Sequence, residues 1–258
     1  MITRVLPGGL KGGSQAGQYR LALDVLLVML DDGSARVLNL SGNCYAISPI
    51  GAEMLYHALS EGEENSAETL SSKYDAPIAT IVDDQSSFLQ SLERRRLIYR
   101  AQGRPQRDLH RISALAIQSV LKAIRAAVRS PDRRAWFLLT AARLSMVLGF
   151  DASVSGWRPQ RAWNPSKEHR RDASASEINE IVRSSAARHF LHITCKERAL
   201  VCWTLLHWYG LQSKLVVGVE LFPFSGHCWC EVQTKNAVVI LSDYPERAQR
   251  FVPVMTYS

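Results

Sequence analysis

The chain has 258 residues, of which 47% are hydrophobic and 21% are charged, a composition typical of a globular protein with one large domain or two smaller ones. Its first residues are glycine-rich and polar, and the later apolar run LALDVLLVML is interrupted by Asp24. No segment resembles a secretion signal or reaches the roughly 18 apolar residues that a membrane span needs. We therefore expect a cytoplasmic protein with no membrane partner.

The formal net charge of +7 is distributed unevenly along the chain. Residues 1–105 carry a balance of −2, and the remainder carries +9. Such a difference predicts two domains with different partners. A basic domain is typical of nucleic-acid binding, but these arginines are scattered rather than aligned on one helix, so we expect no nucleic-acid partner.

The first third of the chain predicts a small domain behind a flexible tail, which we place at residues 1–20. The segments VLLVML, ARVLNL and CYAIS are separated by the turn-forming DDGS and SGN, and they predict a three-stranded antiparallel sheet. Three segments with helical periodicity follow it. Three strands and three helices predict a winged-helix-like domain over residues 21–102, and the polar AQGRPQRDLHR predicts a linker over residues 103–111.

The remaining residues, 112–258, predict a second domain. Helical segments come first, with an irregular connector over residues 151–175. TCKERALVCWTLLHWYG then predicts a helix that begins near Cys195 and ends at Gly210. SKLVVGVEL, HCWCEV and NAVVILS predict three strands, so the fold class of the whole chain is α+β.

Three residues of this second domain form a candidate catalytic set. Cys195 stands at a predicted helix N-terminus, where free N–H groups and the helix dipole favour a thiolate. His227, on a following strand, is the candidate proton carrier, and an imidazole in that role needs a third group to hold one tautomer. Asp243, at the end of the next strand, is the candidate for that third group.

The other cysteines have simpler interpretations. The chain contains five cysteines and no secretion signal, which does not favour a disulfide framework. Cys202 falls on the same helix face as Cys195, and Cys228 and Cys230 alternate with His227 along one strand, so all three are expected to be small buried residues. A metal site built on Cys228 and Cys230 is the alternative, but no second cysteine pair completes it, and we expect no metal and no cofactor.

Residues 190–254 resemble the transglutaminase-like leader peptidases of lasso-peptide biosynthesis, the B proteins. The resemblance rests on the cysteine that opens a helix, followed by LVVGV, PF, HCWCEV and SDYPERAQRFVPV. It implies a transglutaminase-like, papain-like cysteine peptidase fold. It also implies catalytic roles for Cys195, His227 and Asp243.

Residues 22–100 are similar to PqqD-like domains, also called RiPP recognition elements, which bind the leader of a ribosomal precursor peptide. The similarity rests on LNLSGNCYAISPIGAEML and agrees with the predicted order of strands and helices. In that family the leader adds as a strand at a sheet edge.

Together the two resemblances imply a peptidase that removes the leader of a precursor peptide during lasso-peptide maturation. The implied partners are the precursor peptide and an asparagine-synthetase-like lasso cyclase. Three alternatives stay open: a transglutaminase-like acyl transferase, a leader-binding scaffold without catalysis, and a winged-helix nucleic-acid binder.

Overall fold

The computed structural model describes residues 2–8, 18–60, 63–100, 107–158, 174–233, 237–242 and 245–258. The chain divides into two units, Met1–Gln106 and Arg107–Ser258. The division falls within the predicted linker, but a helix begins at Arg107, so residues 107–111 are not linker. The glycine and proline that suggested a linker lie before this helix, at positions 103 and 105.

The N-terminal unit combines a four-stranded sheet, a two-stranded sheet and three helices. Its elements are β1 (Ile2–Pro7), β2 (Tyr19–Leu21), β3 (Val25–Leu30), β4 (Ala35–Asn39), β5 (Cys44–Ile47), α1 (Pro49–Ser60), α2 (Glu63–Tyr74), α3 (Ile78–Arg94) and β6 (Ile98–Arg100). The order in the larger sheet is β1-β3-β4-β5, all antiparallel, and β2 pairs with β6. The three strands and three helices of the sequence prediction are therefore present, while their winged-helix-like arrangement stays a prediction.

The flexible tail predicted for residues 1–20 was wrong where the structure describes it. Residues Ile2–Pro7 form β1 and pair with β3, and Tyr19 begins β2. Leu6 packs against the core of this unit, and the Arg4 guanidinium donates to the Tyr56 hydroxyl at 2.6 Å. A glycine-rich stretch follows ITRVLP directly, and the local pattern alone does not indicate a strand. The segment forms a strand because it pairs with β3, which is distant in sequence.

The C-terminal unit places helices against one antiparallel sheet. Its elements are α4 (Arg107–Ala127), α5 (Pro131–Ser145), a short 3-10 turn (Met146–Leu148), α6 (Phe150–Trp157), α7 (Ala175–Ala187), α8 (Cys195–Trp208), β7 (Ser213–Leu221), β8 (Phe224–Gln233), β9 (Val238–Leu241), α9 (Pro245–Ala248) and β10 (Val252–Tyr257). The strand order is β10-β7-β8-β9. Helix α6 occupies the start of the connector predicted over residues 151–175, which was therefore not irregular throughout.

Helix α8 is the centre of the C-terminal unit. It contacts α5 and α7 on one side and strands β7 and β8 on the other. Residues on every face of α8 are buried, as expected for a helix whose sequence has no polar face directed to solvent. Leu200, Val201 and Trp203 are fully buried, so neighbouring elements fix the position of the helix and of its first residue, Cys195.

The sheet of the C-terminal unit is fitted closely around Trp229. In the register of β7 and β8, Gly218 lies opposite His227. A side chain at Gly218 would meet the Trp229 ring at 2.5 Å, so only glycine leaves room for the indole. Trp229 then forms a cluster with Val216, Ala248 and Phe251.

None of the helices in the described part of the chain is both long enough and apolar enough to cross a membrane.

Candidate active site

A buried carboxylate fixes the start of helix α8. Thr194 and Glu197 form a capping box, in which the Thr194 N–H donates to Glu197 Oε2 at 2.9 Å and the Thr194 hydroxyl donates to the same oxygen. The other oxygen, Oε1, accepts from Arg143 Nη1 of α5 at 3.1 Å. Glu197 is completely buried, so these donors hold the residue before Cys195 in one conformation.

The environment of Glu197 favours its charged form. Burial alone raises the pKa of a carboxyl group, but hydrogen bonds from Thr194, the local backbone and Arg143 outweigh it, and the pKa of Glu197 lies below its ordinary value. The charge is therefore retained inside the protein because several donors converge on it.

Cys195, the first residue of α8, is a half-buried thiol with a strongly lowered pKa. The main cause is a hydrogen bond that the Cys228 thiol donates to Cys195. Burial opposes this effect, and the hydrogen bond and positive charge of His227 add to it, so the net pKa of Cys195 lies well below that of an ordinary thiol. The position at a helix N-terminus acts in the same direction. Cys195 thus has the properties of a nucleophile.

His227 is held by contacts on its ring faces and at one ring nitrogen. Its ring stacks on Trp229 with centroids 6.0 Å apart, and Phe251 lies at 5.1 Å. The nitrogen Nε2 lies 2.9 Å from the Ser242 hydroxyl. The other nitrogen, Nδ1, is therefore the one available to the Cys195 thiol.

The end of β9 creates the space in which His227 meets its partners. The ladder between β8 and β9 ends at the pair Cys230 and Leu241, so the β8 backbone at His227 has no partner in β9. Ser242 follows directly, and its carbonyl oxygen accepts from Asn179 Nδ2 of α7 at 3.3 Å. Helix α7 thus positions the residue that contacts His227.

The structure brings together two of the three predicted catalytic residues. Cys195 and His227 line one cleft, and His227 contributes to the lowered pKa of Cys195. Asp243 lies outside the described residues, and its predicted role stays a prediction. Ser242, its neighbour in sequence, is the described residue that contacts His227 Nε2.

The cleft around Cys195 and His227 is basic. Its other lining residues include Asn179, Arg183, Arg198, Cys228, Leu241 and Ser242. Arginines are the only charged residues among the described side chains that line it. Such surroundings favour a thiolate and an anionic reaction intermediate.

The structure adds residues that the sequence prediction missed. Thr194 follows from the sequence as the N-cap of this helix, but Glu197 was missed, although its position three residues later has the spacing of a capping box. The contact of Cys228 with Cys195 could not be foreseen, because strand alternation placed Cys228 on the face opposite His227. Nor does any local pattern indicate that Asn179 positions Ser242.

The metal alternative has no support in the described part of the chain, where no group of three or more His, Cys, Asp or Glu side chains could hold an ion. Cys230 instead donates its thiol proton to the Ala199 carbonyl at 3.0 Å.

Comparison with known families agrees with the geometry of this unit. Residues 135–256 match the family model of the transglutaminase-like superfamily. The matched region contains Cys195, His227 and Asp243, and members of this superfamily are typically cysteine-dependent hydrolases or transferases. No curated protein and no solved structure matches the chain significantly. The resemblances to lasso leader peptidases and to PqqD-like domains therefore stay predictions.

Replacing Glu197 by glutamine should destabilise the protein. We expect Glu197→Gln to lower the free energy of unfolding by about 2 kcal/mol, because it weakens buried hydrogen bonds to a charged group. Since the folded pKa of Glu197 is lowered, its contribution is present above the ordinary glutamate pKa and is lost as the pH falls through the folded value. The difference from wild type should therefore shrink in acid. Chemical denaturation at several pH values measures it.

A matched control for this variant is Glu180→Gln. Glu180 accepts from Arg183 at 2.8 Å, but both side chains are more than half exposed. The control should change the free energy of unfolding by about 0.5 kcal/mol or less. Equal effects of the two variants would show that the buried carboxylate has no special role.

The lowered pKa of Cys195 should appear in its reactivity. We expect iodoacetamide to alkylate Cys195 at pH values below the ordinary thiol pKa of about 8.5, because its own pKa is lowered. The accessible Cys44 is an internal control, since partial desolvation of its sulfur raises its pKa. His227→Ala or Cys228→Ala should shift the Cys195 profile to higher pH. Peptide mass spectrometry measures the alkylation rate of each cysteine at each pH. Identical pH profiles for Cys195 and Cys44 would contradict a lowered pKa of Cys195.

Proposed function

We propose that the protein is a cysteine peptidase that removes the leader from a ribosomal precursor peptide during lasso-peptide maturation. The observation that carries the proposal is the Cys195 thiol at the start of α8, which lines one cleft with His227 and has a lowered pKa to which His227 contributes. The transglutaminase-like domain at residues 135–256 supports cysteine-dependent acyl chemistry. The leader specificity rests on the resemblances in the sequence.

In the proposed mechanism, the Cys195 thiolate attacks the carbonyl carbon of the bond between leader and core. The backbone N–H groups at the start of α8 receive the developing oxyanion. His227 gives its proton to the leaving amine, and the core peptide departs. His227 next takes a proton from water, which attacks the thioester and releases the leader with a new carboxylate.

Asp243 completes this mechanism as the group that orients and stabilises the His227 imidazolium. The Ser242 hydroxyl contributes a hydrogen bond to the same ring. Ser242 directly follows β9, and its side chain reaches the β8 edge beyond the last ladder pair, while Asp243 is the next residue in the sequence.

We assign recognition of the leader to the N-terminal unit. In the described part of its larger sheet, β1 covers the outer edge of β3, whereas the outer edge of β5 pairs with no strand. Asn39 N–H donates to the Asn43 carbonyl, and the alternation of antiparallel pairs then directs the N–H groups of Cys44 and Ala46 away from β4. A leader strand added there finds two free donors.

Leader binding at β5 makes cleavage of a weakly bound peptide bond efficient. Attachment to one unit raises the effective concentration of the junction near the other unit, without any further contact. The released core is then the substrate of the asparagine-synthetase-like cyclase, which we propose as the partner, and the reaction takes place in the cytoplasm.

The central prediction concerns cleavage of the precursor peptide encoded beside the gene for this protein. Wild type should release the intact leader, and Cys195→Ala and His227→Ala should reduce the rate by about three orders of magnitude or more. Mass spectrometry of the products identifies the released leader and measures the cleavage rate of each variant. Lys122→Ala, which removes an exposed side chain of α4, should leave the rate unchanged.

Cleavage in ¹⁸O-water separates hydrolysis from acyl transfer. Hydrolysis places one heavy oxygen in the new carboxylate of the leader, whereas a transglutaminase-like acyl transferase gives a leader amide with an added amine. Binding without cleavage by wild type plus cyclase would identify a scaffold.

Asp243→Asn should slow cleavage by about 10⁴-fold if Asp243 holds the imidazolium. A larger effect of Ser242→Ala would move that role to Ser242.

Leader docking at β5 predicts a binding defect confined to one backbone position. Ala46→Pro should weaken binding of a fluorescent leader peptide by about fivefold or more, because proline removes an outward N–H. The β4–β5 ladder keeps its hydrogen bonds, so the midpoint of thermal unfolding should change little. Fluorescence anisotropy measures the affinity. Cys195→Ala is the control with unchanged binding, and wild-type affinity for Ala46→Pro would exclude this edge.

A further inference from the structure

The Cys228 thiol takes no part in the bond-making and bond-breaking steps of the proposed cleavage, yet it lies beside the nucleophile. Both thiols line the same cleft, and hydrogen bonding from Cys228 is the largest cause of the lowered pKa of Cys195. Cys228 is only 4% exposed and follows His227 on β8. The two thiols come from different elements, α8 and β8, which pack against each other.

The other described cysteines have different surroundings. Cys202 also lines the cleft, but it lies seven residues after Cys195 on α8, roughly 10 Å along the helix axis. Cys230 donates its thiol proton to the Ala199 carbonyl. Cys44 is exposed in the N-terminal unit. Cys195 alone combines access from the cleft with thiolate character, and oxidants react with accessible thiolates. Cys228 is therefore the thiol placed to react with a sulfenic acid that forms on Cys195.

We propose that Cys195 and Cys228 form a site of reversible oxidation by hydroperoxides, with Cys195 as the oxidised thiolate and Cys228 as the resolving thiol. The proposal rests on the thiol pair and holds whether or not the protein is a leader peptidase. It assigns a function to Cys228, which the sequence pattern predicted to be only a small buried residue.

The chemistry needs only hydrogen peroxide as the co-reactant. The Cys195 thiolate attacks one peroxide oxygen, the O–O bond breaks, and Cys195 becomes a sulfenic acid while hydroxide leaves and is protonated to water. The Cys228 sulfur then attacks the sulfenic sulfur. The S–O bond breaks, the disulfide forms, and the departing hydroxide takes the Cys228 proton as a second water. Two thiols are oxidised and one peroxide is reduced.

The disulfide has two consequences for the protein. It removes the nucleophile, so any chemistry that depends on Cys195 stops until a thiol reductant restores it. It also prevents further oxidation of the sulfenic acid to sulfinic acid, which a thiol does not reverse.

The test treats the full-length protein with hydrogen peroxide and measures its intact mass without reductant. The mass should fall by two hydrogen atoms, and free thiols should fall from five to three. After trypsin, the peptides of residues 189–196 and 215–235 should be cross-linked. Dithiothreitol should reverse all three changes.

Two variants identify the resolving thiol, because Cys228 and Cys230 share one tryptic peptide. Cys228→Ala should give no cross-link and should instead gain two oxygen atoms at Cys195, which dithiothreitol does not remove. Cys230→Ala, at a buried position on the same strand, should keep the wild-type cross-link. If Cys228→Ala fails to fold, Cys228→Ser replaces it, and fragmentation of the wild-type cross-linked peptide locates the bridge directly.

Accumulation of sulfinic acid on wild-type Cys195 without a cross-link would overturn the proposal, as would a bridge from Cys195 to Cys230. These results require no substrate. Failure of the peptidase assay with an intact cross-link would reject the proposed function alone, and cleavage without a cross-link would reject this inference alone.

Discussion

The buried carboxylate of Glu197 is the interaction on which the candidate active site depends. A charge with no exposure is tolerated only where donors surround it, and Thr194 and Arg143 supply them. These bonds determine where α8 begins, and α8 begins at Cys195. Because the rest of the helix is packed on all sides, the sulfur atom is held by the core of the unit and not by a surface loop.

The second constraint is the length of β9. If its ladder with β8 continued past Cys230, its backbone would occupy the edge beside His227. The strand ends at Leu241 instead, and Ser242, positioned by Asn179, takes that place. The imidazole is thus fixed by stacking on Trp229, by contact with the tilted Phe251 ring and by one hydrogen bond, while both His227 and Cys195 line the cleft. Gly218 belongs to the same arrangement because it makes room for Trp229.

What the sequence predicted well depends on local patterns. The helix beginning at Cys195, the strand SKLVVGVEL and the meeting of Cys195 with His227 followed from caps, alternation and the order of elements. What it missed depends on partners distant in the chain. Strand β1 exists through its pairing with β3, and the Cys195–Cys228 contact exists through the packing of α8 on β8. No periodicity within a short window contains such information.

The Cys195–Cys228 contact also limits the chemistry of the nucleophile. A hydrogen bond from a neutral thiol stabilises the Cys195 thiolate, but it withdraws electron density from the sulfur that must attack. Nucleophilicity falls with thiol pKa, so a thiolate stabilised in this way is more abundant and less reactive per molecule. An aliphatic side chain at position 228 would avoid that loss. The thiol at position 228 therefore exchanges reactivity per thiolate for a larger thiolate population, and in the proposed oxidation it also resolves an oxidised Cys195, which an aliphatic residue cannot do.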